Sequence, residues 1–467
     1  MNKKDINNNE SIQKITVKLA LPAITEMLLQ TFMGVADTAM VGSLGGYAIA
    51  AVSLSDNPIM VMLAFFAAIS VGTTALVARF VGAKEHKNVK YAITQSLYLS
   101  IFFSIIFTIG ALFLSKNIVV WMGAEKDVIP FAITYLRIIL LGLPALIITM
   151  IMSGALRGAG DTKTPMIVNG LSNIINVICN FILIFNNRTI SFNIPLLNKE
   201  MSIFLPGANL GVTGAAIATT LGRIIALILI LKVLFSKNNN YKITLFKDFK
   251  IDFSILKRIL KVGMPAAGEQ LIFRFAQLVF FRMVASLGTV MVAAHKIALT
   301  AESLSFMPGW GFALAATTLV GQSLGEDDPD KAKKGGYTAA YMACIVMTAF
   351  GVLFFLFPKI FIIIFTRDSE IINNAVICLQ LVALSQPFLA ATMVFAGALR
   401  GAGDTKIVLV ITTMTAWGIR VGLGYYLAFT MNLGLAGAWA AMALDLTIRG
   451  IVFFIIFKRG KWQKIKV

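Results

Sequence analysis

Long apolar stretches alternate with short polar ones along the whole chain. Leu97–Leu114, Ile138–Met152, Ile224–Leu231, Met342–Phe357 and Ile451–Phe457 are the clearest apolar runs, and polar pairs such as Lys116-Asn117 end them. They sit inside stretches of about 20 or more mostly uncharged residues, the length an α-helix needs to cross the hydrocarbon core of a bilayer. The pattern predicts twelve helices, at 15–44, 50–80, 89–115, 128–152, 164–187, 211–236, 254–287, 291–324, 332–357, 371–396, 407–430 and 434–457. The expected fold is therefore an all-α polytopic membrane protein. Composition agrees: 58% of residues are hydrophobic and 13% charged, and the mean hydropathy is +0.83. A soluble domain carries about a quarter charged residues, so the surplus apolar surface must face lipid.

Charge then orients the bundle. A formal charge of +19 could indicate nucleic acid, but its placement argues otherwise. With both termini in the cytoplasm, 28 Lys and Arg fall on the inner side, 6 on the outer side and 7 within spans. That asymmetry follows the positive-inside rule, so no nucleic-acid partner is expected. The polar segment Met1–Gln13 lacks the apolar core and small-residue cleavage site of a secretory signal, and the first span is expected to be retained. Cys179, Cys344 and Cys378 lie in three different apolar segments and read as core fillers.

Comparing the chain with itself adds most. The ten residues GALRGAGDTK occur at Gly154–Lys163 and again at Gly397–Lys406, an offset of 243. The same offset carries Pro22 onto Pro265, Glu26 onto Glu269, Gly82 onto Gly325 and Pro144 onto Pro387. Beyond the fifth helix the offset falls to 223, because an outer loop at about Asn186–Asn209 is longer in the first half. Six helices per half is an even number, so the copies enter from the same side as a parallel repeat, an arrangement that commonly holds substrate between halves. The expected organisation is a six-helix lobe at 1–235, a cytoplasmic linker at 236–253 and a second six-helix lobe at 254–467.

The doubled segment reads as an inner loop. Its glycines allow tight turning, Asp161 and Thr162 suit a helix N-cap, and Arg157 is placed to meet helix-end carbonyls or lipid phosphates. Its spacing matches neither a Walker loop nor a dinucleotide fingerprint, so it reads as a hinge and anchor. The acidic run Glu326-Asp327-Asp328 with Asp330 reads as the cap of the ninth helix. No catalytic constellation, cofactor motif or metal spacing beyond a candidate for Na+ stands out, and no enzyme activity is expected.

Charges at membrane depth need a reason, since each costs about 2.5–3.5 kcal/mol on insertion scales. In the first helix Asp37 shares a face with Glu26 and Gln30; the fifth carries Asn169, Asn173, Asn176 and Asn180; the sixth adds Thr219. Carboxylate, amide and hydroxyl oxygens suit a hard cation, and a buried Asp can instead carry a proton. Position 37 maps onto Phe280, and the asparagines onto Thr412, Ala416, Ile419 and Leu423, so the cluster belongs to one half only. Asp37, Asn173, Asn176, Asn180 and Thr219 form the candidate coupling set. The second half offers Glu269, Gln277, His295 and Glu302, which with Glu26 and Gln30 form the candidate lining of a substrate cavity. Glu269 or Glu302 could equally serve to neutralise Arg274, Arg282 or Lys296, while Asp445 and Arg449 read as an intrahelical pair.

At this point the sequence resembles the multidrug and toxic compound extrusion (MATE) family over essentially its whole length. The resemblance rests on VADTAMVG at Val35–Gly42, the paired GALRGAGDTK segments, LGVTGAAIAT at Leu210–Thr219 and AAHKIA at Ala293–Ala298. It implies twelve helices in two lobes around a central cavity, and export of cationic or amphipathic compounds against Na+ or H+ entry; the expected state is a monomer in the cell membrane. By position Asp37 looks like the family's helix 1 carboxylate, Asn176 like its helix 5 asparagine and Thr219 like its helix 6 hydroxyl. Asn180 stands where some members have Asp. A lipid-linked oligosaccharide flippase of the same broad superfamily is the alternative; it would want a cationic groove, where the first half here offers carboxylates and amides.

Overall fold

The computed structural model describes residues 11–194, 199–236 and 251–465, with the backbone alone described at 188–194 and 199–205. The expected linker therefore lies, at 237–250, outside the described residues. The first lobe comprises α1 (Ile12–Gly42), α2 (Gly46–Gly82), α3 (His86–Trp121), α4 (Ile129–Leu141), α5 (Leu143–Gly158), α6 (Lys163–Leu183) and α7 (Gly211–Phe235). The second comprises α8 (Phe253–Ala285), α9 (Thr289–Gly325), α10 (Pro329–Leu356), the short α11 (Pro358–Ile363), α12 (Ser369–Ala402), α13 (Thr405–Met414) and α14 (Gly434–Arg459). Ten of these helical segments are long and apolar enough to cross a bilayer, and α4 with α5, bent by 45°, makes an eleventh. The twelfth span is α8, whose 33 residues suffice in length but include Lys257, Arg258, Lys261, Glu269, Arg274 and Arg282. Twelve spans in two lobes result, as the repeat requires.

The structure corrects several details. The predicted helix at 128–152 is broken at Gly142, where Pro144 opens α5 and cannot donate to the preceding turn. The eleventh span leaves α-geometry after Met414 and continues as π-helix over Thr415–Leu423 and Tyr426–Thr430. The outer loop after the fifth span is a two-stranded antiparallel hairpin, β1 (Asn186–Ile194) with β2 (Lys199–Ala208).

The doubled segment is helical for most of its length, not a loop: α5 runs to Gly158 and α12 to Ala402. Its glycines divide the work. At Gly154 an added Cβ would lie 2.2 Å from Ser70 Oγ, and at Gly158 2.5 Å from the Thr74 carbonyl, so these two let α5 press onto α2. Only Gly160 and its mate Gly403 turn the chain, with φ of +88° and +89°. Asp161 caps α6 through Thr164, accepting from its backbone N at 2.9 Å and its hydroxyl at 2.6 Å. Asp328 likewise caps α10 by accepting from Lys331 N at 2.8 Å.

Each lobe has its own apolar core, yet the cores trade helix feet. Leu19 and Ala20 of α1 belong to the core of the second lobe. Ile255 and Ile259 of α8 belong to that of the first. The lobes are sealed together at the end of the bundle that carries the doubled segment. There an added Cβ at Gly82 would lie 1.9 Å from the Gln322 carbonyl, and one at Gly325 2.1 Å from the Arg79 carbonyl. Polar bonds reinforce the seal: Thr318 Oγ1 donates to the Arg157 carbonyl at 3.0 Å and Gln322 Nε2 to the Gly158 carbonyl at 2.9 Å. Arg79 adds a bond to the Ile465 carbonyl at 2.7 Å.

Candidate functional site

Beyond the seal, α1 and α9 frame a cavity of about 220 Å³ lined by Met27, Gln30 and Thr31 from one side and Ser303, Phe306, Met307 and Trp310 from the other. Gln30 is thus one of the residues that line this cavity. Further along α1 the apolar side chains Phe32 and Val35 are 68% and 63% exposed, and two turns past Gln30 comes Asp37, half-buried.

Asp37 is held by α6. Asn180, itself buried, donates its amide to Asp37 Oδ1. Turned so that its nitrogen faces the carboxylate, the Asn176 amide donates to Asp37 Oδ1 at 2.9 Å, while its oxygen accepts from Thr219 N and Oγ1 at 3.2 Å each. The close approach of α6 and α7 makes this meeting of three helices possible. At Gly222 a Cβ would lie 3.0 Å from the Ser172 carbonyl, and Ser172 Oγ donates to the Gly222 carbonyl at 2.7 Å. Asn180 Oδ1 is buried and has no hydrogen-bond partner among the described residues, leaving an acceptor beside the carboxylate. Asn173 lies half-buried on the same helix with no hydrogen bond among the described residues. No Lys or Arg pairs with Asp37 within 4.0 Å among the described residues.

The asparagine stripe is nevertheless divided. Asn169 turns to Glu26, donating to Oε1 at 2.7 Å, and the same oxygen takes Arg157 at 2.6 Å. Arg157 therefore meets a carboxylate within the protein, not lipid phosphate or helix-end carbonyls. The second lobe repeats the arrangement: Glu269 Oε1 accepts from Arg400 Nη2 at 2.6 Å and from Thr412 Oγ1 at 3.4 Å. Glu269 thus meets Arg400, not one of the three cations nearer in sequence. In both pairs Oε2 is buried and has no partner among the described residues.

The remaining candidates scatter. Gln277 is exposed on α8. His295 is buried, accepts from Trp439 Nε1 at 3.1 Å through Nδ1, and lies under the Phe280 ring at 5.8 Å between centroids. Glu302 is buried on α9 next to the cavity residue Ser303. Asp445 and Arg449 do pair along α14, and Arg420 joins them with Nε 2.9 Å from Asp445 Oδ2.

One residue escaped sequence reasoning. Asp56 on α2 and Arg223 on α7 lie within electrostatic reach of Asp37, and Arg223 also donates to the Ile139 carbonyl at 3.4 Å. The signal was present: Asp56 is an acid inside the second predicted span, and the test applied to Asp37 would have found it.

Comparison with known proteins settles the family. The MatE family model matches twice, at residues 22–182 and 265–426, two copies whose starts stand 243 residues apart. The chain belongs to the MatE family. Among MatE relatives, the probable multidrug resistance protein NorM of Thermotoga maritima is 34% identical over 460 residues, covering 97% of this chain and 94% of that one. A multidrug resistance MATE family transporter of the MOP superfamily, solved in an outward-facing conformation, is similar with a TM-score of 0.87, 26% identity and 97% coverage of both chains. A MOP superfamily transporter from Pyrococcus furiosus, whose binding pocket of reverse polarity was taken to suggest a different function, is similar with a TM-score of 0.86, 26% identity and 98% coverage of both chains. The MatE fold accounts for the doubled architecture, a multi-pass membrane transporter with its two sets of six spans.

Proposed function

We propose that this chain is a multidrug efflux antiporter of the cell membrane, acting as a monomer and exporting cationic or amphipathic small molecules in exchange for Na+ or H+. The observation that carries this reading is Asp37, a carboxylate at membrane depth with amide and hydroxyl neighbours and no cationic partner within 4.0 Å among the described residues. An acid kept unpaired there costs enough to demand a role. The free oxygen of Asn180 adds a second hard ligand beside it. A single carboxylate neutralises one positive charge, so an entering Na+ or proton displaces an organic cation drawn to the same field, and exchange follows from charge balance. The first lobe (1–235) carries this site, the second (254–467) faces it, and the segment 236–253 joins them.

The basic asymmetry of the sequence supports a cytoplasmic side for the doubled segment and both termini. The seal then closes the inner side, and the cavity opens outward. Alternation would break the Gly82–Gln322 and Gly325–Arg79 contacts and close the lobes at their other ends.

The test is uptake of a fluorescent organic cation into proteoliposomes under separately imposed sodium and proton gradients. Asp37→Asn should abolish gradient-driven transport while leaving the melting temperature of the protein in nanodiscs unchanged. Full activity in that variant would refute the exchange reading.

A further inference from the structure

The second lobe buries a charge cluster that the exchange site does not use. Asp445 on α14 is fully buried and bonds two guanidinium groups: Arg449 Nη2 at 2.7 Å to Oδ2 and Arg420 Nε at 2.9 Å to the same oxygen. Arg449 also donates from Nε to Thr415 Oγ1 at 2.8 Å. Both guanidinium carbons stand 5.3 Å from the centre of the Phe273 ring. The arginines are 6% and 4% exposed, and neither can shed its proton in a protein. Two fixed positive charges therefore share one carboxylate.

This surplus is not a demand of the fold. At the repeat-equivalent places the first lobe has Val177, Gly222 and Ala226 and builds the same six spans without charge at those three positions. Arg420 is also set by a local irregularity, the π-helical stretch Thr415–Leu423, a rare geometry frequently found at functional sites. Within this arrangement Arg420 spends only Nε on protein. Its Nη1 and Nη2 carry four N–H groups with no acceptor among the described residues, and they are not sealed off as orphaned atoms. Glu302 on α9, the other buried acid near Arg420, comes within its electrostatic reach but makes no ion pair within 4.0 Å among the described residues.

We infer that the Nη face of Arg420 is an anion-binding subsite in the second lobe, taking a carboxylate group or a monovalent inorganic anion. A planar guanidinium presents a fork of parallel N–H groups that matches a carboxylate, and a bound anion would satisfy the Nη groups at hydrogen-bonding distance, which Glu302 does not reach, in a low-dielectric site where an incompletely paired charge is costly. The two lobes then differ in polarity, with Asp37 attracting cations on one side and Arg420 anions on the other. This subsite stands on the second lobe's geometry and not on the exchange reading.

Isothermal titration of the full-length protein in nanodiscs tests it, with sodium benzoate and sodium chloride titrated separately at ionic strength held by methanesulfonate. Saturable one-to-one binding is expected for at least one anion. A response to benzoate identifies the carboxylate of an organic molecule, and a response to chloride alone an inorganic ion. Arg420→Gln should weaken that binding about tenfold or more, the loss typical of one charged hydrogen-bonding partner. Glu302→Gln should tighten it, because the internal acid that competes for Arg420 is gone. That second variant decides the matter should Arg420→Gln fail to fold. Absence of saturable binding in the native protein, equal affinity in Arg420→Gln, or equal or weaker affinity in Glu302→Gln would each overturn the inference.

Discussion

The seal between lobes makes a sharp prediction at Gly82. An alanine Cβ there would lie 1.9 Å from the Gln322 carbonyl oxygen, where contacts under 3.0 Å essentially never occur. The obstacle is backbone, which has no rotamer to yield, so α2 and α9 must separate by about 1 Å or more at their crossing. Inserting one methyl into a packed contact of this kind costs about 1–3 kcal/mol. On the proposed alternating access only the state sealed at this end makes the contact, so the cost falls on that state alone and shifts the conformational equilibrium about 5–150-fold away from it.

Spin labels read that shift. In a background lacking Cys179, Cys344 and Cys378, one pair at Ser43 and Ser286 reports the far end of the lobes, at the turns after α1 and α8, where both residues are exposed. A second pair at Glu85 and Asp327 reports the sealed end. Gly82→Ala should shorten the mean distance of the first pair and lengthen that of the second. Gly325→Ala, whose Cβ would meet the Arg79 carbonyl at 2.1 Å, should do the same. Gly110→Ala, with nothing within 4 Å of the added methyl, should do neither. Unchanged distributions in both seal variants would show that the crossing is not a gate.

Other outcomes follow from the same contacts. Glu26→Gln should lower the melting temperature in nanodiscs by stranding Arg157 as a largely buried unpaired cation, a loss of about 3–5 kcal/mol, and the double variant Glu26→Gln with Arg157→Met should recover most of it. Gly160→Ala should cost about 1–2 kcal/mol by forcing a side chain into left-handed backbone, read as a lower melting temperature with transport intact. Phe280→Asp in an Asp37→Asn background should not restore coupled transport, since Ile419 and Leu423 stand where Asn176 and Asn180 would have to be; recovered uptake would contradict the argument.

Twelve spans and their duplication were legible because both are written in local composition. An apolar stretch of about 20 residues announces itself, and a ten-residue identity at an offset of 243 fixes the register of the halves. The meeting of Asp37 with Asn176 and Asn180 was legible too, since helical periodicity places each on one face and a buried acid seeks amides. The partner of Glu26 was not. Arg157 is 131 residues away, and nothing in either neighbourhood says that α5 will deliver a guanidinium to α1. The exchange of helix feet between cores was hidden for the same reason, being a choice among equally apolar surfaces. The hairpin at 186–208 and the π-helix after Met414 escaped because the first reads as a polar loop and the second keeps the apolar pattern of an ordinary span.

What the two halves kept and what they changed separates scaffold from chemistry. Thr74 Oγ1 donates to the Gly154 carbonyl at 2.8 Å, and Thr317 Oγ1 to the Gly397 carbonyl at 2.8 Å. Glu26–Arg157 and Glu269–Arg400 close at 2.6 Å in both lobes. These contacts tie each lobe's helices together near the sealed end, and any drift in one copy would loosen the crossing on which both rely. Nearer the far end the copies part company: Asp37 faces Phe280 across the repeat, and Val177 faces Arg420. A core position could diverge this way through apolar exchange of similar volume at little cost. Carboxylate to aromatic and aliphatic to guanidinium are not such exchanges, because each buries a charge that the other copy does without. On the proposed roles of Asp37 and Arg420 the divergence marks where the lobes would meet different solutes, and the ion pairs kept in both copies mark the part of each lobe that would move as one body.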